Sequence, residues 1–390
     1  MESPKTFGQR LLAAAVNLFE NPWTAALIAG IVYFLFSLRK GVIFHTSEYA
    51  YFNYLADAFL HGQTWLRLTP PSTHDLVIYG GRLFLYWAPF PAIVLMPLVA
   101  IFGVGLNDVL YTILIAATNV GLVAALLQAA NKAKFLNLTR SKCAILVFFF
   151  AFGTVHFFLA PFGKVWMTSQ LIGFSCSLLA YIATFSLKGW KAWLFTGLSL
   201  AAAMLTRPQI VFTGIFCFCY LVNQKRSKKL QSIIPDITLG MLPIFLAGML
   251  TLYYNQIRFG NPLDVGFAYQ NLGPFFSSDF QNYGTFNLHY LPINLYYQYV
   301  FYPLPITPES AMGGSLLLMS PLFLVSIGSF WSQHSKRDLW TLLVSIMVTN
   351  IPILLNIGTG YVQYGPRYTL DFTVPLLLLT AFGMENTNPL

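Results

Sequence analysis

Charge is what this sequence has least of. Asp, Glu, Lys and Arg make up 9% of its 390 residues, against about 25% in a soluble domain. So few charges cannot cover the water-facing surface of a chain this long, which excludes a soluble globular enzyme. The 56% hydrophobic content excludes a disordered chain. What remains is a polytopic membrane protein, and the mean hydropathy of +0.63 agrees. Alternating apolar segments of ~10 residues are also missing, so the spans are helices and not the strands of a barrel. There are four cysteines, Cys143, Cys176, Cys217 and Cys219, all at or inside apolar runs. Cys217 and Cys219 do not share a helix face, and the set reads as small buried hydrophobes, not as a disulfide framework or zinc site.

Several chemistries lack their motifs. Neither G-x-x-x-x-G-K-[ST] nor G-x-G-x-x-G occurs, so a nucleotide-driven machine would need a partner subunit. There is no nucleophile elbow and no H-E-x-x-H. The six histidines are not at ligand spacings, and no cofactor is expected; a divalent cation would have no evident ligand set. No A-x-A-like cleavage site follows the first apolar run; Ser37-Leu38-Arg39-Lys40 does, and the run reads as an uncleaved first span.

What is present is a series of apolar stretches, at roughly 23–38, 109–130, 143–160, 170–187, 192–206, 208–222, 233–253, 315–331, 339–356 and 370–384. The expected fold is therefore all-α: one transmembrane helical bundle of about ten spans over residues 1–390, with extracytoplasmic loops and juxtamembrane helices. The run 192–222 exceeds one span and is split at Thr206-Arg207-Pro208, because proline cannot continue a helix without cost. The chain stops soon after the last run, at Asn386-Thr387-Asn388-Pro389-Leu390, which leaves further spans beyond it open.

Charge decides how residues 89–103 (PFPAIVLMPLVAIFG) lie. If this short, proline-rich stretch does not span, fourteen of the 22 basic residues fall on the cytoplasmic side; if it spans, only six do. The positive-inside rule selects the first arrangement, with a cytoplasmic N-terminus in a plasma membrane. The net charge of +9 is then topogenic and no sign of nucleic acid. The long outer segments are residues 39–108, residues 254–314 and the turn 357–369. With Asp371 at the edge of the last span, this side holds eight of the thirteen acids, together with Arg39, Lys40, Arg67, Arg82, Lys164, Arg207, Arg258 and Arg367. The one glycosylation-like triplet, Asn137-Leu138-Thr139, falls on the cytoplasmic side. Mixed charge among many aromatics on one face suits a reaction site.

Candidate residues follow from that face. Glu48 comes directly after a membrane exit, where partial shielding suits a base or a cation ligand; equally, it could charge the start of the helix that follows. Tyr51, Leu55 and Phe59 form one stripe of that interfacial helix. Next, Val77, Tyr79, Leu83 and Leu85 alternate around Gly80-Gly81 as a hairpin. Asp75 could orient His74 or accept a hydroxyl proton, and Arg82 could face an anion or simply pair with Asp75. Arg207, Arg367 and Lys164 lie at one expected depth, where guanidinium forks suit a lipid phosphate; each alone could instead snorkel or form a structural ion pair. Arg258, ahead of the Asn261-Pro262 turn in the second outer segment, and Tyr368, beside Arg367, complete the candidate substrate contacts. The many tyrosines of the second outer segment read first as an interfacial belt.

The pieces HDLVIYGGRLFLYWAPFPAIVLMP, MLTRPQ, YYNQIRFGNPLDVGFAY and YGPRYTLDF, with Glu48 and the helix ending His61-Gly62, occur in an order that resembles the GT-C membrane glycosyltransferases. That superfamily includes the protein O-mannosyltransferases and the lipid A aminoarabinose transferases, and the likeness is greatest to a bacterial branch of it. The resemblance covers residues 45 to 372. It implies a polyprenyl-phosphate sugar as donor and transfer on the extracytoplasmic side of a bacterial membrane. It also implies an Asp-Glu pair in the first outer segment with the Asp as base. Here that pair reads Ser47-Glu48, so Glu48 or Asp75 would take the role, with Arg207 and Arg367 holding the phosphate. A transporter or flippase of a lipid-linked or anionic solute is the rival reading, although charges midway through spans, which it would want, are nearly absent. A non-catalytic envelope assembly protein is the third. No feature fixes an oligomeric state, the sugar or the acceptor.

Overall fold

The computed structural model describes residues 7–225, 229–273, 276–302, 313–358 and 366–385. Lys5, Arg226, Lys228, Glu309, the turn residues 359–365 and the last five residues lie outside them. Helices dominate. The first apolar run forms Pro22–Arg39, started by Pro22 at the first helical position and by Asn21, whose side chain accepts from the amides of Trp23 and Thr24. Asn107 caps Asp108–Lys132 in the same way. Five helices are long and apolar enough to cross a membrane: these two, Val165–Ser186, Ile234–Phe259 and Lys336–Leu355.

Most of the other expected stretches are helical but interrupted. The run 143–160 breaks at Gly153 into Arg140–Phe152 and Val155–Leu159. The long run 192–222 divides where proline demands it: Trp190–Met204 ends, and Pro208–Thr213 restarts as a 3-10 turn leading into Gly214–Gln224. The stretch 315–331 is a short α-turn, Leu316–Met319, followed by the 3-10 segment Pro321–Trp331. The last run opens as a 3-10 turn, Arg367–Phe372, before Thr373–Glu385.

The bundle packs in sequence order. Pro22–Arg39 lies on Asp108–Lys132, which lies on Val165–Ser186; Trp190–Met204 follows, and Ile234–Phe259 packs on its outer side. That last contact depends on glycine, since a side chain on Gly197 would run into the carbonyl of Gly240. Ile234–Phe259 leaves Met241, Leu242, Phe245, Leu246 and Met249 exposed, an apolar face suited to lipid.

The first outer segment builds a layer over one end of the bundle. Tyr51–Leu60 buries Tyr51, Phe52 and Leu55 against Ala92, Leu95 and Val99 of Phe90–Phe102. With 13 residues, Phe90–Phe102 rises about 20 Å, short of the ~30 Å hydrocarbon core. Strands Val77–Tyr79 and Arg82–Phe84 pair antiparallel, Val77 opposite Phe84 and Tyr79 opposite Arg82. Gly80 and Gly81 turn between them at φ +55° and +72°, the left-handed geometry of a tight hairpin turn.

Candidate active site

Asp75 is placed by three elements. It enters the hairpin with φ +65°, a left-handed conformation that Asp adopts more readily than most residues. Its amide donates to the carbonyl of Asn271 at 2.9 Å, and the Asn271 amide donates back to Leu76 at 2.8 Å. Val77 bridges Gln270 beside them, so the second outer segment is stitched to the first. The side chain accepts from Trp166 Nε1 at 3.0 Å on Oδ2 and from Gln270 Nε2 at 3.3 Å on Oδ1, and His74 Nε2 stands 3.8 Å from Oδ1. Burial lifts the carboxyl above the ordinary carboxylate range, while His74, the Trp166 hydrogen bond and Arg367 pull it part of the way back. The side chain still keeps 16% of its surface exposed, so a ligand can reach it.

An aromatic wall surrounds this carboxylate. Tyr49 packs on Trp166 at 4.9 Å and lies 6.5 Å from His74. Lys164 sets its ammonium 5.3 Å from the Tyr49 ring. Burial also pushes the Tyr86 phenol well above its usual range; Asp75 and Tyr368 add to the shift and Arg367 opposes it, so Tyr86 shares the electrostatic field of both.

The two arginines that look alike in the sequence have different surroundings. Arg207 is committed to Asp371: Nε to Oδ1 at 2.8 Å and Nη2 to Oδ2 at 2.8 Å, with Gln209 Nε2 adding a bond to Oδ2 at 2.7 Å. Arg367 is buried at 6% exposure and has no carboxylate in ion-pair range among the described residues. Its Nη2 donates to the Tyr368 hydroxyl at 3.0 Å, its carbonyl accepts from Gln170 Nε2 at 3.1 Å, and its Nε has no partner among the described residues. Tyr368 lies between the pair, 4.6 Å from the Arg367 guanidinium and 5.3 Å from that of Arg207. A buried guanidinium with an unused donor is suited to an anion.

The structure thus gathers Asp75, His74, Lys164, Arg367 and Tyr368, with Arg207 behind Tyr368. Others stand apart. Glu48 is exposed and makes no hydrogen bond or ion pair among the described residues. Arg82 stacks on Trp65 at 3.9 Å and forms no pair with Asp75. Arg258 is fully employed: it donates to the Leu85 carbonyl at 2.7 Å, to Asn255 Oδ1 at 2.7 Å and to the Tyr254 carbonyl at 3.3 Å, fixing the hairpin's exit to its own helix. Among the described residues no three His, Cys, Asp or Glu side chains gather to hold a metal. Trp166, Gln270 and Tyr49 are site residues that sequence reasoning missed. Asp371 was visible only as an acid at a span edge.

The bundle, with several helices apolar enough to cross a membrane, has a counterpart of similar fold among solved structures. It is similar to the crystal structure of ArnT from Cupriavidus metallidurans bound to undecaprenyl phosphate. The TM-score is 0.52 at 14% identity, over 94% of this chain and 60% of that one. At that identity the likeness is one of fold, and the chain spans less than two thirds of the length of its match. No family model and no curated protein matches the sequence.

Proposed function

We propose that the protein transfers a sugar from a polyprenyl-phosphate donor to an acceptor hydroxyl on the extracytoplasmic face of a bacterial plasma membrane. The observation that carries this reading is the pairing of a desolvated carboxylate, Asp75, with a buried guanidinium, Arg367, that has no acidic partner among the described residues. The undecaprenyl phosphate held by ArnT supports the choice of donor class.

In this reading Asp75 accepts the acceptor's hydroxyl proton as that oxygen bonds to the anomeric carbon. The bond from that carbon to the phosphate oxygen breaks, and its electron pair leaves with the lipid phosphate. Arg367 and Lys164 stabilise the charge that develops there. The phosphate is a good leaving group and needs no general acid. Glu48, exposed near the site, is left for acceptor contact, and the serine at position 47 is no obstacle, because the base is Asp75.

The test is turnover of undecaprenyl-phosphate sugars by the purified full chain. Asp75→Asn should lower turnover by about 10²–10⁴-fold while donor binding stays intact, and Arg367→Ala should weaken donor binding. Full turnover in Asp75→Asn would remove the base, and an inactive wild type across such donors would remove the enzyme reading.

A further inference from the structure

We infer that Asp108 is a positioning residue that holds the Lys164 backbone in a left-handed conformation and thereby sets the Lys164 ammonium beside Tyr49. The carboxylate of Asp108 is completely buried, and no cationic side chain lies within ion-pair distance of it among the described residues. Three donors take the place of a counter-ion: the Ser47 amide at 2.8 Å, the Ser47 hydroxyl at 2.5 Å and the Lys164 amide at 2.7 Å. A buried carboxylate satisfied in this way fixes the groups that satisfy it, since releasing any one leaves charge unpaired. Space is as tight as the bonding: a side chain on Gly163 would run into the same carboxylate.

Both segments that Asp108 clamps carry the site. Tyr49 follows Ser47 by two positions, and its carbonyl accepts from the Val165 amide at 2.9 Å. Trp166, which holds Asp75, follows Lys164 by two. Lys164 itself sits at φ +83° and ψ +146°, a region that glycine occupies freely and other residues rarely do. A lysine kept there points to a use for its side chain. Its ammonium has no carboxylate in ion-pair range among the described residues, so it is free to meet an anion.

The inference rests on the lipid-phosphate reading for the purpose of Lys164, and the experiment separates the two. Full-length protein in nanodiscs is titrated with undecaprenyl phosphate. Asp108→Asn and Lys164→Met should each weaken binding about tenfold or more, and the double variant should weaken it no further, because both remove one coupled element. Lys164→Gly should bind as poorly as Lys164→Met yet melt higher than wild type, because glycine takes this backbone conformation without strain. Additive losses, or full affinity in Asp108→Asn, would overturn the positioning role. Acylation of Lys164 by a water-soluble succinimidyl ester, followed by mass spectrometry, needs no donor. Asp108→Asn should change that rate at least about threefold and leave exposed Lys40 unchanged. An unchanged Lys164 rate overturns the inference even if wild type ignores the lipid.

Discussion

Arg207 and Asp371, 164 residues apart, meet through a two-pronged ion pair inside the bundle, with Nε and Nη2 each 2.8 Å from a carboxylate oxygen. The pair ties the break between Trp190–Met204 and Gly214–Gln224 to the 3-10 turn that opens into Thr373–Glu385. It leaves Arg367 as the one of two similar arginines without a carboxylate in range among the described residues.

Removing one partner leaves the other charged and buried. Asp371→Ala should cost about 3–5 kcal/mol, and Arg207→Met combined with Asp371→Leu should recover most of it. Thermal unfolding in detergent measures both. Equal loss in the single and double variants would show that the pair supplies more than charge balance.

The pH profile follows from Asp75. A base must be ionised, and burial raises this carboxyl, so kcat/KM should rise with pH through a limb above the ordinary carboxylate range. The Trp166 hydrogen bond favours the ionised form; Trp166→Phe removes it, so the limb should move to higher pH. A limb that stays in place would mean that another group titrates.

Two arginines of the outer layer should differ in what their loss costs. Arg258→Ala leaves the Leu85 carbonyl and the Asn255 amide oxygen without their donor, at a cost of about 1–3 kcal/mol. Arg82→Ala removes an exposed stacking contact with Trp65 and should cost less than about 1 kcal/mol. Chemical denaturation of both variants gives the comparison.

The bundle was legible because so few charges interrupt the apolar runs, and Pro208 marked the break that the structure shows. Gly80-Gly81 marked the hairpin for an equally local reason. The 3-10 character of Pro321–Trp331, which packs against the last helix, was not legible, because its composition matches that of an α-helical span. The site was legible as a set of residue types but not as a set of partners. Trp166 and Gln270 reach Asp75 from 91 and 195 residues away, and no spacing rule connects them. Arg207 and Arg367 differ only in which of them a distant aspartate reaches.

The stitch between Leu76 and Asn271 has a consequence for biosynthesis. The Asp75 backbone is held by Asn271 and its carboxylate in part by Gln270, so the proposed base is fully held only once residue 271 has left the ribosome and reached the same side of the membrane. A nascent chain that has inserted only its first helices carries every acid of the first outer segment but not these two contacts. On the proposed reading, competence comes late in synthesis, when the second outer segment closes onto the hairpin.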